Sequence, residues 1–219
     1  MIDGTILIDK PAGMTSFGVV ARVRRVMSAR AGKKVKVGHT GTLDPFATGL
    51  MILVLGTECK RAGTYTKLDK VYEATFSLGF ESSTGDTEGE LTEVSSRKPS
   101  LDDVQSALKR FVGDIPQRPP IFSAIKIDGQ RAYKLARDGK EIEMPARTVR
   151  IYELELLEYR YPELRVRAHV SSGTYIRSLA VDIGHVLGVG AYCQQLRRTE
   201  IAEWSVDDAF TLEQLGVHD

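Results

Sequence analysis

The sequence predicts an α+β fold, a mixed and largely antiparallel sheet flanked by helices. Three observations predict it: segments of strand character are interrupted by segments of helical spacing, no internal repeat or low-complexity tract occurs, and 219 residues at 42% apolar composition suffice for a proper core. The apolar runs are far too short to span a bilayer, and Met1-Ile2-Asp3-Gly4 has no basic flank followed by an apolar segment. A cytoplasmic protein with no membrane partner is therefore expected. Cys59 and Cys193 stand far apart with no Cys or His at ligand spacing, so neither a zinc site nor a disulfide framework is expected.

The elements follow in order. Thr5–Asp9 reads as a short strand, and Lys10-Pro11-Ala12-Gly13-Met14-Thr15-Ser16 is turn chemistry ending in a helix cap. Val19, Val20, Val23, Val26 and Met27 then repeat at helical spacing. Leu50–Leu55 is an unbroken apolar run of strand length, the mark of a strand buried on both faces. Glu58–Lys67 reads as helical. Lys70–Leu78 alternates so that Tyr72, Ala74, Phe76 and Leu78 share a face, which makes Tyr72 core-facing. Residues 81–96 form a turn-rich excursion with a short strand near Leu91 and no evident chemistry. Ser100 caps a helix whose stripe is Leu101, Val104, Leu108, Phe111 and Val112. Ile115–Pro120 breaks it, Ile121–Lys126 is extended, and Asp128–Lys140 interleaves cations with Tyr133.

Thr148–Tyr159 and Glu163–Ser171 read as strands joined at Tyr161-Pro162. In the second, Leu164, Val166, Ala168 and Val170 alternate with Arg165, Arg167 and His169. Ser172-Gly173-Thr174 opens a helix stopped by Gly188 and Gly190. Arg177 falls in its first turn, where the helix dipole disfavours a cation by roughly 0.3–1 kcal/mol. Local rules are broken most often where a group has another task, such as pairing with a carboxylate. A last strand covers Ala191–Arg198, and a short capped helix begins near Thr211.

The stretch around which this chain is arranged is Gly38-His39-Thr40-Gly41-Thr42-Leu43-Asp44-Pro45-Phe46-Ala47-Thr48-Gly49, directly before the buried run. Its glycines make a tight loop. Pro45 pushes Asp44 towards an extended backbone, and an acid on a stiff loop against a central strand is how a fixed reactive group is mounted. Most such loops are only turns, and the Gly-Lys-Ser/Thr ending of a phosphate-binding loop is missing. The formal charge of +1 hides an uneven distribution: no acid stands between Asp9 and Asp44, while Lys10, Arg22, Arg24, Arg25, Arg30, Lys33, Lys34 and Lys36 are basic. Such a run is either a solvated face or a phosphate-contacting surface that steers a polyanion to the loop.

The loop resembles the signature of the TruB family of tRNA pseudouridine synthases. Asp9-Lys10-Pro11-Ala12-Gly13-Met14-Thr15-Ser16, Lys70-Val71-Tyr72, Gly173-Thr174-Tyr175-Ile176-Arg177 and Leu196-Arg197-Arg198 resemble four further motifs of that family, in its order. The resemblance implies a pseudouridine-synthase-type sheet with an RNA-clasping insertion at about 115–147, expected to be mobile, in a single catalytic domain over 1–215. Family members usually continue into a C-terminal PUA-type domain. Almost nothing follows Leu215, so that domain is expected to be absent.

The same resemblance implies isomerisation of uridine to pseudouridine at position 55 in the T loop of tRNA, without cofactor or metal, by a monomer that contacts the T-stem and loop. Asp44 is then the catalytic carboxylate, Arg177 its partner and Tyr72 the ring under the flipped uracil. His39 resembles the residue that fills the vacated space. Tyr175 and Leu196 resemble residues that pack on the base, and Lys10 is expected on a phosphate. Two alternatives stand beside this reading: a non-catalytic module that binds and folds tRNA, and the same chemistry on another RNA.

Overall fold

The computed structural model describes residues 2–123, 126–127, 130–131 and 144–217. In chain order it has β1 (Gly4–Lys10), α1 (Ser16–Ala31), β2 (Val37–His39), β3 (Thr48–Leu55), a 3-10 turn (Gly56–Arg61), α2 (Ala62–Thr66) and β4 (Lys70–Leu78). Then come β5 (Phe80–Ser82), β6 (Leu91–Glu93), α3 (Leu101–Lys109), β7 (Gly113–Gln117), and the short pair β8 (Lys126–Ile127) and β9 (Gln130–Arg131). The chain continues through β10 (Arg147–Arg160), β11 (Glu163–Val170), α4 (Ile176–Leu187), β12 (Ala191–Ile201) and β13 (Trp204–Ser205). Two compact units result, one of Met1–Glu73 with Leu196–Asp219 and one of Ala74–Gln195. β4 and β12 contribute residues to both.

In the first unit β3 is the spine. β1 pairs along it antiparallel from Gly4↔Leu55 to Lys10↔Gly49, while β2 pairs antiparallel at its far end and β12 runs parallel at Arg197↔Thr48 and Arg198↔Gly49. Strands on both edges take up its backbone hydrogen bonds, and its side chains point to the two faces of the sheet. Leu50 to Leu55 are all buried, as the unbroken apolar run predicts, each contributing about 1.5–3 kcal/mol of transfer free energy. Leu50, Ile52 and Ile201 form one cluster, covered by Leu7, Tyr65, Leu68 and Trp204. Where β12 crosses the start of β3, Gly49 has φ +108°, and a Cβ there would lie 2.2 Å from the Arg198 carbonyl oxygen. Only glycine fits.

The second unit orders its strands β4-β11-β10-β7. β10 and β11 form a long antiparallel hairpin with irregularities at Tyr152 and Leu157, and Leu164, Val166, Ala168 and Val170 are buried as their alternation predicts. α3 packs on β10 and α4. It opens with a full capping box: Ser100 Oγ accepts from Asp103 N–H, and the Asp103 carboxylate accepts from Ser100 N–H. α4 buries Ile176, Leu179, Ala180, Ile183 and Leu187 and stops at Gly188 in the left-handed conformation. The mixed, largely antiparallel architecture is the one the sequence predicts.

Three details differ. Leu101 and Val112, read as part of the α3 stripe, are half exposed because one opens the helix and the other lies past its end. Thr211–Leu215 is a turn rather than a helix: Thr211 and Gln214 bond each other reciprocally, and Gly216 at φ +79° ends the segment before a second turn forms. Glu58–Lys67 divides into the 3-10 turn and α2. Ala124, Gly129, Tyr133, Lys134, Arg137 and Lys140 of the expected insertion lie outside the described residues.

Candidate active site

The loop that carries Asp44 is pinned on both flanks within the first unit. On one side Ser16, the first residue of α1, bonds Leu43 twice: its Oγ accepts from Leu43 N–H at 2.8 Å and donates to Leu43 O at 2.9 Å. On the other, Pro45 O accepts from Gly13 N–H at 2.8 Å and from Lys10 Nζ at 3.2 Å. Thr40 is tied back to β3 through Ile52 O, and Arg198, fully buried, donates from Nε to Leu50 O and from Nη2 to Gly41 O. Asp44 therefore sits half-buried between two anchored neighbours, with little backbone freedom left to spoil its aim.

Lys10 corrects one expectation. It is fully buried, and its ammonium donates to Pro11 O, Met14 O and Pro45 O, so its three N–H groups serve carbonyls and none is left for a phosphate. It anchors the loop. Burial pushes its pKa from 10.5 down to about 8, while the charge of Asp44 pulls it up and that of Arg198 down again. The reciprocal effect on Asp44 is a cation behind the carboxylate that favours its ionised form. Lys70, at the head of β4, is pushed to about 8 by burial in the same way and donates to Thr66 O and Leu68 O.

The first unit also holds His39 at the end of β2, Tyr72 buried in β4 and Leu196 buried in β12. Arg197 makes a two-pronged pair with Asp9 at 3.0 and 2.8 Å. That contact fixes the end of β1, from which Lys10 projects.

The second unit presents Tyr175 and Arg177. Gln117, buried at the end of β7, brackets the Tyr175 backbone, its Oε1 accepting from Tyr175 N–H at 2.8 Å and its Nε2 donating to Tyr175 O at 3.0 Å. The Arg147 guanidinium lies 5.2 Å from the Tyr175 ring centre and donates to Gly173 O. Arg177 is buried and donates to Thr84 O and Phe122 O, and it makes an ion pair with Asp86 at 3.1 Å, both side chains 4% exposed. Asp86 is itself held by Thr84 Oγ1 and Glu88 N–H. Sequence reasoning passed over Asp86. Its only signal was an acid within a run of small residues, although Arg177 in a first helical turn did announce that some carboxylate was needed. Among the described residues no group of three or more His, Cys, Asp or Glu is placed to hold a metal ion.

Residues 24–176 match the model of the TruB family pseudouridylate synthase N-terminal domain. The chain belongs to the TruB family. It is thus an enzyme that isomerises uridine to pseudouridine. Residues 177–218 match the model of the tRNA pseudouridylate synthase B C-terminal domain.

TruB relatives named tRNA pseudouridine synthase B include the protein of Aromatoleum aromaticum, 45% identical over 98% of this chain and 68% of its own length. Those of Francisella tularensis and Aquifex aeolicus are 43% and 44% identical, with 70% and 73% of their lengths covered. Among solved structures, a chain of a Cbf5-Nop10-Gar1 complex superposes with a TM-score of 0.74 at 31% identity, over 96% of this chain. A chain of an H/ACA RNP bound to a substrate RNA containing 2'-deoxyuridine superposes with a TM-score of 0.71 at 29% identity, over 96% of this chain. This chain spans about half the length of either, 52% and 51%.

Proposed function

We propose that the uridine this enzyme isomerises is the one at position 55 in the T loop of tRNA, and that it acts as a monomer in the cytoplasm on the T-stem and loop. Relatives 43–45% identical carry tRNA in their names, which supports the substrate class. The observation that carries the reading is the doubly anchored, half-buried Asp44 with the Lys10 charge behind it. A reacting carboxylate needs that fixity.

In the proposed reaction the uridine leaves its stack at a cost of a few kcal/mol. His39 fills the space it leaves, and Tyr72, Tyr175 and Leu196 receive the base. The N1–C1′ bond breaks and positive character grows at the sugar, where ionised Asp44 acts as nucleophile or electrostatic stabiliser. Lys10 behind the loop favours the ionised form of Asp44, and Arg177, held in place by Asp86, is the second cation assigned to that carboxylate. The uracil turns, C5 joins C1′, and the proton lost from C5 is balanced by one gained at N1, with the Tyr72 hydroxyl as the group that moves it. Atoms and charge balance with side chains alone.

Asp44→Asn decides it, measured as pseudouridine formation in a T-stem-loop RNA together with affinity for that RNA. The expected result is loss of product by more than a thousandfold with affinity within a few-fold of wild type. Retained activity would overturn the assignment of Asp44, and a wild-type protein that binds the RNA but makes no product would overturn the choice of this uridine.

A further inference from the structure

We infer that Phe17 and Arg24 form a second contact for the RNA, a platform on which an unpaired nucleotide next to the flipped uridine stacks while Arg24 meets its phosphate. The inference rests on the proposed RNA substrate and adds a site to it. In α1 the buried stripe is Ser16, Val19, Val20, Val23 and Met27. Phe17 stands outside that stripe and is 66% exposed, the most exposed large apolar side chain among the described residues. Arg24 lies two turns further along the same face, with its guanidinium carbon 6.0 Å from the Phe17 ring centre. Between them stands Ala21, too small to cover either.

A lone exposed phenylalanine needs no explanation. Two things set this one apart. It directly follows Ser16, whose hydroxyl holds Leu43, so its backbone is one residue from an anchor of the loop that carries Asp44. It also belongs to the stretch between Asp9 and Asp44, which holds eight cations and no acid. An exposed ring under a guanidinium on an acid-free helix matches a base for its face and a phosphate for the charge. A peptide partner of ordinary composition finds no complement to that charge.

The test uses fluorescence anisotropy of a labelled T-stem-loop RNA over a salt series, with pseudouridine kinetics alongside, on Phe17→Ala, Phe17→Trp and Arg24→Ala. Phe17→Ala is expected to weaken binding and raise KM by about 5- to 100-fold, the value of one stacked base, with the loss in KM rather than kcat. Phe17→Trp restores binding, since any flat ring serves. Arg24→Ala lowers the slope of log affinity against log salt by about 0.7–0.9, the signature of one phosphate. Affinity of Phe17→Ala within twofold of wild type, or a fall in kcat at unchanged affinity, would overturn the platform. Because binding is read directly, a wild-type enzyme that leaves this RNA unmodified would overturn the choice of uridine and still leave the platform tested.

Discussion

At the scale of single residues, the candidate site is held by groups whose work is hidden from water. Lys10 shows the consequence. Its pKa is about 8 when folded and 10.5 ordinarily, so between those values the unfolded chain keeps a proton that the folded protein has shed. Stability rises with pH wherever the unfolded state binds more protons, so the penalty of burying this charge is full below pH 8 and is relieved as pH climbs towards 10.5. Lys70 titrates over the same window. Urea unfolding from pH 7.5 to 10 is expected to show increasing stability, and Lys10→Met to lose about half of that increase; equal slopes would mean that the ammonium is not buried as charge. None of this was legible in the sequence. A lysine beside Pro11 in a turn reads as exposed, because the three carbonyls that receive its protons come from Pro11, Met14 and the distant Pro45, and only folding brings them together. The stiffness of the loop around Asp44 was legible, because glycine spacing and a following proline are local restraints.

At the scale of elements, the same contrast separates β3 from the turn after β5. The β3 run announces itself through composition, and the glycine before it through the crossing with Arg198 that only the structure displays. The turn between β5 and β6 announces nothing, yet it supplies Asp86 to Arg177, 91 residues away in the chain. Two hydrogen bonds from within the turn fix that carboxylate, so the turn acts as a clamp on the first turn of α4. Asp86→Asn keeps shape and acceptor oxygen but removes the charge. Unpairing one partner of a buried ion pair costs about 3–5 kcal/mol, or about 10 °C in melting temperature for a chain of this size. The expected outcome is that drop in a thermal melt, with kcat reduced and RNA affinity near wild type. An unchanged melt would show that the guanidinium does not depend on Asp86.

At the scale of the whole molecule, net charge misleads and distribution informs. The chain totals +1, which by itself argues against a polyanionic partner, yet Lys33, Lys34 and Lys36 crowd the exposed segment after α1, next to Arg30, whose guanidinium bonds Leu215 O. Those lysines are exposed, so replacing them should leave folding alone, and their value to the enzyme is electrostatic. If they face phosphates, each releases counterions on binding, and log affinity falls with log salt by about 0.7–0.9 for every phosphate neutralised. Replacing all three with serine takes the formal charge from +1 to −2, the +1 less three. For T-stem-loop RNA this variant is expected to bind more weakly below about 0.1 M salt, to lose about 2–3 units of salt slope, and to converge on wild-type affinity as salt screens the remaining field. A slope equal to wild type would place the three lysines away from the RNA and return that stretch to the status of a solvated face.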